Sequence, residues 1–211
     1  MSLSGITNRG TSAVTGLESL ARACDGELAR SAAVPGAVRA SLVRDWRGLA
    51  GADLSDRVLR HWPANLNRGE LDQSSDAWMA AAAWLALHQL LIIHGWRGDA
   101  LAFAQDWHQL VLAKLGRPAR WALRAWGLER AVGHLPQLWG HAYRAPVPVH
   151  SLRDGALTLE FAAHELLDVP LTRLLLACQA RLACELLTAH AQSIEFQQLN
   201  AGWSLRCRNL S

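Results

Sequence analysis

Two stretches decide the fold: VPVHSLRDGALTLEF at residues 147–161 and SIEFQQLNAGWSLRCR at residues 193–208. In the first, Val147 and Val149 stand before Arg153-Asp154-Gly155, and Leu157, Leu159 and Phe161 stand after it. With Gly155 left-handed as a bulge, a three-residue loop pairs Val149 with Leu159 and puts both apolar sets on one face. His150, Thr158 and Glu160 then face the other way. In the second stretch Ile194 and Phe196 alternate with Ser193, Glu195 and Gln197, while Trp203, Leu205 and Cys207 alternate with Ser204, Arg206 and Arg208. A turn at Asn200-Ala201 sets Phe196 opposite Leu205 and Glu195 opposite Arg206, so one register satisfies the apolar and the charged face together. Each hairpin has one apolar and one polar side.

Between the hairpins lies a helix pattern. Asp168 is placed to cap it, and Pro170 falls in the first turn, where a missing N–H costs nothing. Leu171, Leu174, Leu175, Cys178, Leu182 and Leu186 recur at helical spacing, a stripe fit to cover the apolar sheet face, and Ala177, Ala180 and Ala183 allow close approach. The reading is a four-stranded antiparallel hairpin-helix-hairpin unit over residues 146–211.

Upstream, the chain reads as helical from residue 13 to 145, after a loose polar terminus at residues 1–12. A first stripe runs through Leu17, Leu20, Ala21, Cys24 and Leu28, and the break at Val34-Pro35-Gly36 precedes a second helix through Val38, Leu42, Val43 and Trp46. A shorter helix spans 54–62. Ser74, Ser75 and Asp76 are placed to cap an apolar helix that ends at Gly95. Helices are predicted over 99–115, 120–132 and 135–143, with Gly116-Arg117-Pro118 as a stop. The fold class is thus α+β, a mostly helical two-thirds packed on the C-terminal unit as one compact domain.

Composition narrows the function. The 211 residues carry a net charge of +3, and all but one of the 21 basic residues are scattered arginines, the exception being Lys114. That balance does not argue for nucleic acid. The apolar run from Ala77 to Ile93 is interrupted by His88 and Gln89 and falls short of the ~20 residues a membrane span needs. No secretory signal pattern opens the chain. Cys24, Cys178, Cys184 and Cys207 show no metal-ribbon spacing and read as free, buried thiols of a cytoplasmic protein.

Catalytic motifs are missing: there is no GxSxG, no glycine-rich phosphate loop and no HExxH. His164-Glu165 and Asp106-Trp107-His108 join acid and imidazole only as sequence neighbours, which point apart on a helix. The nine histidines include His134 and His141, seven apart on one predicted helix. A rise of ~1.5 Å per residue separates them by ~10 Å, too far for one zinc whose ligands lie at ~2 Å. Either could still serve singly as an axial haem ligand.

The ten tryptophans read first as core and interface packing, and second as walls of a pocket for a flat aromatic or tetrapyrrole compound. The two halves offer their largest apolar surfaces around Trp84 and His88 on one side and Trp139 and Tyr143 on the other. A ligand cavity is predicted between them.

Residues 135–208, LPQLWGHAYRAPVPVHSLRDGALTLEFAAHELLDVPLTRLLLACQARLACELLTAHAQSIEFQQLNAGWSLRCR, resemble the C-terminal half of the haem nitric-oxide/oxygen-binding (H-NOX) superfamily. They also resemble its relatives, the four-vinyl-reductase-type ligand-binding domains and a set of myxobacterial proteins. The likeness rests on element order and apolar spacing. It implies a helical half packed on a hairpin-helix-hairpin half with a cavity between. Haem-binding members carry Tyr-x-Ser-x-Arg on the second strand to hold the propionates, and Phe161, Ala163 and Glu165 stand at those positions here. Glu165 would repel a propionate, so no cofactor is expected, haem at His134 or His141 being the alternative. The resemblance implies a non-catalytic sensor or adaptor that binds a small hydrophobic or aromatic ligand or a protein partner. Partly exposed tryptophans on amphipathic helices add the expectation of a homodimer, with neither nucleic acid nor membrane as partner.

Overall fold

The computed structural model of the protein describes residues 13–24, 34–43, 46–114, 116–188, 190 and 192–209. The predicted loose terminus at 1–12 and Leu28 lie outside them. The chain opens with strand β1 (Ala13–Thr15) and helix α1 (Gly16–Cys24), then strand β2 (Ala37–Arg39) and a 3-10 turn (Ala40–Val43). Helices α2 (Trp46–Ala50) and α3 (Ala52–Arg60), a 3-10 turn (Arg68–Asp72) and strand β3 (Trp78–Ala80) lead to α4 (Ala81–Gly95). Four helices follow: α5 (Ala100–Lys114), α6 (Arg117–Trp126), α7 (Leu128–Gly133) and α8 (Leu135–Ala142). The C-terminal part is β4 (Val149–Arg153), β5 (Ala156–Ala162), the short α9 (Glu165–Asp168), α10 (Pro170–Thr188), β6 (Gln192–Leu199) and β7 (Gly202–Asn209). The class is α+β, as the sequence predicts.

Besides strand β1, three departures lie in the helical part. The predicted second helix begins as strand β2, which pairs antiparallel with β3 through Ala37–Ala80, Val38–Met79 and Arg39–Trp78. Val38 and Met79 are buried while their neighbours are half-buried, the alternation of a strand, but three residues are too few to show it in sequence. Consequently α4 starts at Ala81, and Ser74, Ser75 and Asp76 do not cap it. Its first N–H bonds go elsewhere: Ala81 donates to Gly36 O at 3.0 Å, and the preceding Ala80 N–H donates to the Glu70 carboxylate at 2.6 Å. The third departure is Gly127, whose φ of 77° breaks the predicted 120–132 helix into α6 and α7. Gly116-Arg117-Pro118 stops α5 and also starts α6, with the proline in its first turn.

The end of α4 falls at Gly95 as predicted, where the packing against α3 is tight. A Cβ there would lie 2.8 Å from Leu54 Cδ2 on α3. Ala81 to Gln89, Leu91 and Ile92 are all buried, so α4 has no polar face and its long apolar run is that of a core helix.

The main sheet has five antiparallel strands in the order β1-β6-β7-β5-β4. The predicted four are present, and β1 extends them by pairing with residues 195–197 of β6. The last hairpin has the predicted register, with Phe196 opposite Leu205 and Glu195 opposite Arg206. The carboxylate of Glu195 reaches diagonally to Arg208, with which it forms an ion pair.

The first hairpin differs by one residue. Asp154 (φ 51°) and Gly155 (φ 72°) form a two-residue turn, so Val149 pairs with Glu160, His150 with Leu159 and Leu152 with Leu157. Two consecutive left-handed residues match the strand twist better than the expected three-residue loop. A one-residue slip exchanges the faces of β4. Val149 is consequently 70% exposed, and His150 and Leu152 sit over the apolar side.

Helix α10 covers that side. Every residue from Pro170 to Cys178 is buried, and α1, α4, α5, α6 and α7 pack around it. Asp168 closes α9 and Val169 separates it from α10, so the predicted cap is absent. One apolar core runs without interruption from Leu20 on α1 to Cys207 on β7.

Candidate functional site

The predicted ligand residues meet, yet they meet as packing. Trp84 on α4 lies edge-on to His88 at 5.2 Å and to Tyr143 at 6.3 Å, and Tyr143 lies 4.4 Å from Trp139. Rings extend this contact both ways. His88 touches Phe103 and Trp107 on α5, and Trp139 touches Phe161, which stacks on Phe196 next to Trp203. The predicted space between α4 and the Trp139 layer is therefore filled by aromatic rings.

Polar atoms in this chain are held locally. His88 Nδ1 donates to Trp84 O at 2.8 Å, which fixes the tautomer, and burial lowers the imidazole pKa to about 4 against the opposing pull of that carbonyl. His88 is a neutral core histidine. The Tyr143 hydroxyl donates to Gln179 Oε1 at 2.5 Å and burial pushes its ionisation up. Trp139 Nε1 donates to Ala145 O at 3.2 Å, whereas the Trp84 indole N–H finds no acceptor.

Open space lies on the other side of Trp139. A groove of about 350 Å3 runs between α6, α7 and α8 on one wall and α10 and β5 on the other. Leu123, Trp126 and Leu138 form the outer wall, and Leu157, Ala183 and Cys184 the inner one. A second cavity, of about 180 Å3, shares Leu135, Leu138, Leu159, Ala180 and Ala183 with it and ends at Trp139, Tyr143 and Gln179. Together they make one apolar trough whose polar atoms gather at the inner end. Leu138, at 49% exposure, stands on its rim.

Of the four predicted ligand residues, then, Trp139 and Tyr143 line the smaller cavity and Trp84 and His88 line neither. The residues missed are Leu123, Trp126, Leu135, Leu138, Ala180 and Ala183. The available signal was the alanine spacing on α10. Ala177 is fully buried and does permit close approach, but Ala180 and Ala183 face α6 to α8 and leave a gap.

His134 and His141 are exposed and line neither cavity. His134 stands at the N-terminal boundary of α8 and His141 in its last turn. His134 Nδ1 lies 2.8 Å from Gln137 Oε1, and the His134 ring stacks on Trp126. His141 Nδ1 lies 2.7 Å from Gln137 O. Phe161 points into the core, while Ala163 and Glu165 are exposed. Among the described residues no three His, Cys, Asp or Glu side chains are grouped to hold a metal ion, and no helix is long and apolar enough to cross a membrane. Compared with known proteins, the chain matches no protein-family model, no curated protein and no solved structure.

Proposed function

We propose that the protein is a non-catalytic sensor or adaptor module of the H-NOX-like or four-vinyl-reductase-like type, and that its trough takes a small hydrophobic ligand. The observation that carries this reading is the trough itself: a connected apolar space beside an interface that is closed by packed rings. An empty apolar space forfeits dispersion contacts, and a flat or alkyl ligand of modest size would restore them. The Tyr143–Gln179 pair at the inner end offers hydrogen bonding to a polar group on such a ligand.

The test uses the fluorophore N-phenyl-1-naphthylamine, which brightens in apolar surroundings. Saturable brightening is expected with the wild-type chain. Ala183→Trp, which fills the trough, weakens it by about tenfold, a loss of about 1.4 kcal/mol. Equal brightening with both proteins rejects the trough as the site. Haem carried by His134 or His141 has less support, since both imidazoles stand outside the trough. A Soret band in the purified protein that disappears in His134→Ala or His141→Ala would restore it.

A homodimer belongs to the same proposal on separate grounds. β4 is one of the two outer strands of the sheet, and Val149 projects from it exposed, the arrangement that invites pairing with a second copy. Light scattering should give twice the chain mass, reduced to one in Val149→Lys.

A further inference from the structure

Trp139, Tyr143 and Gln179 bring polar side-chain atoms to the lining of the smaller cavity, and most of those atoms are already engaged. Trp139 Nε1 donates to Ala145 O at 3.2 Å, and the Tyr143 hydroxyl donates to Gln179 Oε1 at 2.5 Å. Burial pushes the ionisation of Tyr143 up, so the phenol keeps its proton. Among the described residues Gln179 is the one acceptor for that hydroxyl, and a buried O–H without an acceptor is costly. That cost holds the Gln179 oxygen toward Tyr143 and turns the amide N–H2 the other way.

The N–H2 is what remains. Gln179 is half-buried, and its Nε2 has no partner among the described residues and is not one of the polar atoms shut away from water. Two donors are thus left over beside the inner end of the trough, while Leu135, Leu138, Ala180 and Ala183 carry the apolar walls on into the larger groove. No charged side chain lines either cavity. An ion entering would lose its hydration with no counter-charge to replace it, whereas a neutral carbonyl would lose less and gain a donor. A hydroxyl or amine would need an acceptor, and Gln179 Oε1 already serves the phenol.

We propose that the trough selects an uncharged carbonyl compound, a ketone, aldehyde or ester with an apolar body, and that Gln179 reads the carbonyl oxygen. This assignment rests on the trough as a ligand site and names the class of ligand it takes. The carbonyl oxygen accepts from Gln179 Nε2 at the inner end, and the apolar body lies along Ala180 and Ala183 toward the larger groove. Tyr143 is the positioning residue, holding the amide by its oxygen so that the donors are left for the ligand.

The experiment titrates the full chain by isothermal calorimetry with three naphthalenes of similar shape: 2-acetylnaphthalene, 2-ethylnaphthalene and 2-naphthoate. The ketone should bind the wild-type chain, and the anion about tenfold or more weaker. Gln179→Leu, which keeps the bulk and removes the amide, should lower the ratio of ketone to hydrocarbon affinity about fivefold or more. Tyr143→Phe, which releases the amide, should lower the same ratio about twofold or more, a change that lost packing alone would not produce. Equal weakening of both neutral ligands in Gln179→Leu, an unchanged ratio, or naphthoate binding as tightly as the ketone overturns the proposal. The hydrocarbon separates the two levels. If it binds, and Ala183→Trp abolishes its binding while Gln179→Leu leaves the ratio unchanged, the carbonyl reading fails and the ligand site stands. If neither neutral ligand binds the wild-type chain, both fall.

Discussion

Two apolar interfaces of this molecule are built from opposite materials. Where α4 meets α5 and the Tyr143 layer, Trp84, His88, Phe103, Trp107 and Tyr143 interlock ring against ring. Where α10 meets α6 to α8, alanine on one wall faces leucine on the other and a trough remains. Hydrophobicity alone does not distinguish the two. Side-chain volume does, because a close-packed interior has no spare atoms to move into a gap.

The sharpest test of this contrast is Trp84→Ala. Trp84 is fully buried, so the loss should be ~3–5 kcal/mol and read directly in the denaturation midpoint. A loss below ~1 kcal/mol would show that the ring interface is not the packed side.

Next in size is the pH response of His88. Its folded pKa lies near 4 against 6.5 for the free group, so the unfolded chain binds the extra proton first. Its contribution is fully present above pH 6.5 and is lost as pH falls toward 4, to a total of roughly 3 kcal/mol. His88→Phe should flatten that slope between pH 6.5 and 4. An unchanged slope would place the titration elsewhere.

The same substitution made at a fully buried alanine of α4 and in the trough should change sign. Ala83→Leu forces methyl groups into the filled side of α4 and should cost ~1–3 kcal/mol. Ala180→Leu fills the trough and should be neutral or stabilising by ~0.5–1 kcal/mol, with loss of naphthylamine binding. Equal costs at the two sites would erase the distinction. Smallest is Leu138→Ala on the half-exposed rim, expected below ~1 kcal/mol by thermal melting.

Sequence legibility followed the same division. The last hairpin was readable because apolar and charged residues alternate along both strands, and only one register satisfies both faces. The first hairpin was not, because Arg153-Asp154-Gly155 suits a two-residue or a three-residue loop, and β4 carries too few apolar residues to choose. Strands β1, β2 and β3 have three residues each, below the length at which period-two alternation can be told from chance. For the site, Trp84, His88, Trp139 and Tyr143 attract notice by what their side chains carry. The trough arises from what Ala180 and Ala183 lack, and an alanine reads equally as a close contact or a gap until the opposite wall is known.

The pairing of β1 with β6 constrains the order of folding. Residues 13–15 leave the ribosome well before residues 195–197, which complete their hydrogen bonds and are made some 180 residues later in the chain. During synthesis this edge of the sheet has no template, and α1, which follows directly, lacks the β6 surface it packs against. Closing the sheet is therefore a late, long-range event, and a nascent chain halted before β6 presents its central α10 with the covering layer incomplete.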